Sequence, residues 1–188
     1  MSLRRCFKKK LKKLEGSSFF IKMNIFFLHS DPRKCARWHC DKHVVKMLLE
    51  TCQLLYTCHW LTGSTDFSTA PLRKDGNRGY KKSHWNHPCA KWVRASSQSY
   101  RWLTILGLEL LWEYEFRYPG KTHGCAEHIR WLFANIPSGL ADNGWIAPAK
   151  AMPDIYKKGD AISSYRRYYI GAKQDILKWS YRHTPHWI

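Results

Sequence analysis

Apolar and polar positions along most of the chain recur at helical rather than alternating spacing. Met23-Asn-Ile-Phe-Phe-Leu28 is too short for a helix of its own and predicts a buried strand or extended segment. Asp31-Pro32 then supplies a cap and a first-turn proline, and the pattern predicts helix from about Arg33 to Trp60, in one or two pieces. Gly63 to Arg78, rich in Gly, Ser, Thr, Asp and Pro, predicts a loop. Asn86-His87-Pro88 opens a long helix towards Tyr118, where Pro119-Gly120 stops it. A further helix begins near Thr122, Cys125 and Glu127 and ends near Ile136-Pro137. Ser138 to Gly159 is dense in Pro and Gly and predicts an irregular segment anchored by Trp145, Met152 and Tyr156. Asp160 caps a last helix to about Lys173. The expected class is mainly α: a single compact helical domain over residues 23–188, with a short N-terminal extended segment and long irregular loops.

The helix around residues 39–55 carries an unusual polar stripe. At about 100° per residue, His39, Lys42, His43, Lys46, Glu50 and Gln53 fall on one arc, and Val44, Val45, Met47, Leu48, Leu49, Cys52, Leu54 and Leu55 fill most of the remainder. Such a stripe reads as a thin solvated edge with Lys46 and Glu50 as an ordinary ion pair, or as the acid, base and hydrogen-bonding groups of a catalytic cleft. On the second reading the catalytic candidates are His43, Lys46, Glu50, Lys42 and Gln53.

Charge adds a partner. Lys and Arg number 32 against 14 Asp and Glu, a formal net charge of +18, more than solubility requires. Arg4, Arg5, Lys8, Lys9, Lys10, Lys12, Lys13 and Lys22 face the single acid Glu15 in residues 1–22, which predicts a basic flexible arm. Less than half of the net charge lies there, so residues 23–188 remain basic on their own. The expected partner is double-stranded DNA, gripped mainly through phosphates and with little sequence preference; structured RNA or an anionic membrane surface suits the same charge. Candidate nucleic-acid contacts are Lys8, Lys9, Lys10, Lys12 and Lys13 of the arm, then Arg33, Lys34, Arg37, Lys81, Lys82, His84, His87, Lys91, Arg94, Arg101, Arg166, Arg167 and Arg182. Lys81 to Cys89 leads into a predicted helix N-terminus, where backbone N–H groups favour a phosphate. Ser164 to Tyr169 interleaves tyrosines with Arg166 and Arg167; the tyrosines recur at helical spacing and are expected to be partly core.

Seven cysteines, odd in number and without a CxxC pair, argue against a disulfide framework and for an intracellular, reducing compartment. His84, His87 and Cys89 match no zinc spacing, so no metal and no cofactor are expected. Phe19 to Leu28, interrupted by Lys22, falls short of the roughly 20 apolar residues of a membrane span.

Several motifs together carry a resemblance. Met23-Asn-Ile-Phe, Asp41-Lys-His-Val-Val-Lys-Met47 with Glu50 and Gln53-Leu-Leu55, Asn86-His-Pro88, Ala151-Met-Pro-Asp154, Tyr165-Arg-Arg-Tyr-Tyr169 and the Trp-rich end resemble a family of small proteins of phages and large DNA viruses. That family is in turn similar to the pyrimidine-dimer DNA glycosylases, all-helical phage repair enzymes of the endonuclease V type. The resemblance implies a site in the cytoplasm or nucleus of an infected host, or in the virion, and a role in binding or packaging a viral genome or in repairing it. In the glycosylases a His and a Glu seven positions apart on a helix are followed three positions later by an Arg, and the free N-terminal amine attacks the sugar C1′. His43, Glu50 and Gln53 fall on that spacing, with Gln53 in place of the Arg. The resemblance therefore implies Asn24 as nucleophile if the working chain starts at Met23 and loses it, or Lys42 or Lys46 as the source of the amine.

Overall fold

A computed structural model describes residues 23–63 and 66–188. The basic arm, with Lys8, Lys9, Lys10, Lys12 and Lys13, lies outside the described residues. Six helices are present among those described, and the only β pairing is an isolated antiparallel bridge between Leu72 and Arg78. The mainly α expectation holds.

Helix α1 (Pro32–Trp38) starts as its sequence predicts, with the Asp31 carboxylate accepting from Arg33 N at 2.8 Å and Pro32 in the first turn. The backbone turns extended at His39 and Cys40, and α2 (Asp41–Thr62) begins anew. The C-terminal tail holds this junction open, since Asp41 N–H donates to Lys178 O at 2.8 Å. Gly63, at φ +66° in the left-handed region, ends α2.

The single long helix expected from Pro88 to Tyr118 is two. α3 (Pro88–Ala95) and α4 (Ser97–Arg117) meet at Ser96, whose backbone is extended. No Gly or Pro marks the break. Ser96 Oγ accepts from Gln98 N at 3.2 Å and donates to Gly144 O at 2.6 Å, while Ser97 N donates to Ala141 O at 2.9 Å. The irregular segment after residue 137 thus supplies the bonds that make this break favourable. α5 (Ala126–Ala134) and α6 (Ala161–Ala172), capped by Asp160, complete the set.

α2 runs through the middle, packed most extensively on α4 and also on α3 and α5. Gly107 of α4 permits close approach: a Cβ there would lie 3.0 Å from Ile129 and 3.1 Å from Thr51. All six residues from Met23 to Leu28 are buried, as expected for the N-terminal extended segment. Phe26 stacks on His43 at 4.4 Å between ring centres, and Phe27 stacks on Trp102 at 4.2 Å. A buried ionic network fastens the C-terminal tail: Arg117 donates to Asp41, Glu113 and the His39 carbonyl, and Arg182 forks onto Glu113. The six described cysteines are buried thiols. No helix among the described residues is long and apolar enough to cross a membrane.

Candidate functional site

The polar stripe of α2 does not face outward as one band. His43 and Glu50, seven residues apart, point in nearly the same direction, and the buried segment Met23–Leu28 lies across both. His43 packs between Phe26 and Tyr169, its Nδ1 2.5 Å from the Tyr169 hydroxyl, and burial pushes its pKa down to about 2. The ring is therefore neutral at working pH. His39 lies outside α2 and is likewise buried; Nδ1 meets Cys35 O at 2.7 Å, and burial lowers it to about 4. Lys42 is exposed and away from the cleft described next.

A cleft of about 740 Å³ opens beside α2 between Val45 and Gln53. Val45, Lys46, Leu49, Glu50 and Gln53 form one wall, and Val45 and Leu49 are partly exposed there. Leu72, Arg73, Lys74, Asp75 and Tyr80 form the facing wall, and residues 123–125 with His128 close the end. Met23, only 1 % exposed, also lines it.

Beneath Met23 is a densely bonded polar centre. Asn24 N–H donates to Glu50 Oε2 at 2.7 Å, and Glu50 Oε1 faces Lys46 Nζ at 3.1 Å. Glu50 is 4 % exposed, and burial raises its pKa even though the Asn24 N–H and the Lys46 charge oppose the shift. A carboxyl so placed is suited to exchanging a proton with the Lys46 amine. The Asn24 side chain is tied on every polar atom. Nδ2 donates to Ala151 O at 2.8 Å, while Oδ1 accepts from the Tyr165 hydroxyl and from Ile25 N, each at 2.9 Å, with Cys89 Sγ at 3.7 Å. Residues from the Ala151-Met-Pro motif, the Tyr165 motif and the turn after Asn86-His-Pro thus converge on Asn24, a convergence that their scattered positions in the chain do not reveal.

The expected nucleic-acid contacts separate into two groups. Lys34, Lys81, Lys82, His84, Lys91 and Arg101 are exposed, as are Arg33 and Arg37, which pair with Glu109 and Glu113. Arg167 is exposed and donates to Lys158 O. Others are engaged within the fold. Arg166 Nε donates to Leu28 O at 3.0 Å and its guanidinium lies over Trp38; Arg182 is held by Glu113 and lies over Phe116; Arg94 donates to Trp85 O. The α3 N-terminus, read as a phosphate seat, is capped by His87 itself, whose Nδ1 accepts from Cys89 N at 3.2 Å. Tyr165, Tyr168 and Tyr169 are all buried, so the aromatic half of that cluster is core. Arg73, Lys74 and Tyr80 were not singled out from the sequence, because their segment reads there only as a loop.

The sequence model describing pyrimidine dimer DNA glycosylases matches residues 23–124, from the extended segment to the end of the cleft. No curated protein and no solved structure matches the chain. Glu50, the Asn24 nitrogen and most of the cleft wall lie inside the matched residues, which make up more than half of the chain, and the protein belongs to the pyrimidine dimer DNA glycosylase family.

Proposed function

We propose that the protein is a DNA glycosylase with abasic-site lyase activity on damaged pyrimidines, and that its nucleophile is the α-amine of Asn24 in a chain that starts at Met23 and loses it. The observation that carries this reading is the 2.7 Å contact between Asn24 N and Glu50 Oε2. Loss of Met23 extends the cleft down to that nitrogen, since Met23 lines the cleft and packs directly before it.

The amine lone pair then attacks the sugar C1′, the glycosidic bond breaks, and the base leaves with the bonding pair and takes up a proton. Loss of one amine proton leaves an N-glycosylamine, and as the C1′–O4′ bond breaks and O4′ takes up a proton, the nitrogen lone pair forms the C=N bond of the protonated Schiff base. Glu50 accepts protons from the amine, stabilises the iminium charge, and in the following elimination takes the C2′ proton as the C3′–O bond breaks. Asn24 is pre-positioned for this by the bonds from Ala151 and Tyr165 that fix its side chain.

In a chain that runs on before Met23, the same nitrogen is an amide whose lone pair is delocalised and non-nucleophilic. That form is read as a DNA-binding protein of little sequence preference, suited by its +18 charge to binding or packaging a viral genome. The experiment is borohydride trapping on abasic duplex DNA with the full chain and with a chain beginning at Asn24. We expect the shorter chain to trap at least about 100-fold faster. Equal trapping by the full chain, abolished by Lys46→Ala, moves the nucleophile to Lys46. No adduct from either chain removes the lyase mechanism.

A further inference from the structure

We propose that Arg73 is the phosphate-binding cation of the cleft, reaching it from the wall opposite Lys46 and Glu50. This rests on the DNA-acting reading above and names the group that would hold the backbone of the strand being processed. Gln53 on the α2 wall and Arg73 on the opposite wall both line the cleft.

Arg73 sits on a tight hairpin whose geometry is set by its own backbone. Arg73 N donates to Asn77 O at 2.8 Å, Gly76 N donates to Arg73 O at 3.0 Å, and Leu72 bridges Arg78. Gly79, at φ +59°, seats the hairpin on α2, because a Cβ there would come within 2.6 Å of the Tyr56 ring. The hairpin is therefore a fixed platform facing Lys46 and Glu50.

The side chain is ordered but not satisfied. It is 19 % exposed, its guanidinium lies 5.4 Å from the Tyr80 ring centre, and one Nη pairs with Asp75 at 2.8 Å. Its Nε is buried and finds no acceptor. The buried Nε is closed to solvent, so a ligand would meet the part of the side chain left exposed on the cleft lining, where the guanidinium is held with bonding capacity to spare. A phosphodiester oxygen is such a ligand: the guanidinium fork matches phosphate in shape and charge, and Lys74 beside it adds to the field. Arg166 and Arg182, engaged on backbone carbonyl and carboxylate, have no comparable vacancy on the cleft.

The test uses the full chain and a duplex carrying a tetrahydrofuran abasic analogue, which cannot form a Schiff base, so binding is read apart from chemistry. Arg73→Ala should weaken binding about tenfold or more and reduce the salt slope by about one. Adding Gln53→Arg to that variant should recover most of the loss. Asp75→Asn keeps Arg73 and removes its competing carboxylate, and should tighten binding several-fold. Arg73→Ala with affinity within about twofold and an unchanged slope overturns the proposal. If Arg73→Ala does not fold, weaker binding or no change in Asp75→Asn overturns it. Loss of binding in Arg73→Ala with no adduct from the Asn24-starting chain sinks the glycosylase reading and leaves this one standing.

Discussion

The two ends of the α2 stripe make an instructive pair. His43 and Glu50 lie on the same face of one helix, are both nearly inaccessible, and both meet the N-terminal extended segment. Burial pushes each towards its uncharged form, His43 downward and Glu50 upward. What separates them is what lies alongside. At His43 the aromatic rings of Phe26 and Tyr169 complete the packing. At Glu50 the next neighbours are Lys46, the Asn24 nitrogen and an open cleft. A shifted pKa marks both places, and only Glu50 adjoins an open cleft.

The largest test of that contrast is Glu50→Gln. Trapping by the Asn24-starting chain should fall at least about 100-fold while duplex binding changes little. The substitution should not lower thermal stability at neutral pH. A carboxyl with a raised folded pKa binds more protons folded than unfolded, so its contribution to stability falls as pH rises through that window. A variant that melts well below the parent at neutral pH breaks the assignment of Glu50 as a site residue rather than a structural one.

His43→Ala should do the reverse. Removing the ring leaves a cavity beside Phe26 and an unpaired Tyr169 hydroxyl, for a loss of about 2–4 kcal/mol by denaturant unfolding. Trapping measured well below the melting temperature should stay within a few-fold. Adduct formation lost without loss of stability would move His43 into the chemistry.

A further effect is graded. His39 and His59 are lowered by burial to about 4, and His43 to about 2. The folded state thus binds fewer protons than the unfolded chain below about pH 6.5, and stability falls as pH drops. Each histidine should contribute a loss of about 2 kcal/mol by about pH 5, and Glu50 a gain of opposite sign. Thermal melts from about pH 7 to 5 should show a steady decline, shallower in His43→Ala.

Helix starts at Pro32 and Pro88 and the last helix after Asp160 were legible because their caps are local: a side chain two or three residues away satisfies the first N–H groups. The break at Ser96 was not, because Ala141 and Gly144 stabilise it from some 45 residues away in sequence. Helical periodicity correctly grouped His43 with Glu50, yet it carries no information about what covers that face. The same limit hid Arg73, whose loop becomes a site wall only once Gly79 seats it on Tyr56.

The sequence alone therefore determined an all-α class, the places where most helices start, a strong excess of positive charge and the pairing of a histidine with a glutamate on one helix face, since each follows from short-range spacing or composition. Tertiary structure alone decided which of that pair meets a cleft, that Asn24 brings its nitrogen to the carboxylate, and which arginines are engaged within the fold. Those outcomes depend on distant segments arriving at the same point, Ala151 and Tyr165 at Asn24 and Glu113 at Arg182, and burial then sets their protonation and partners.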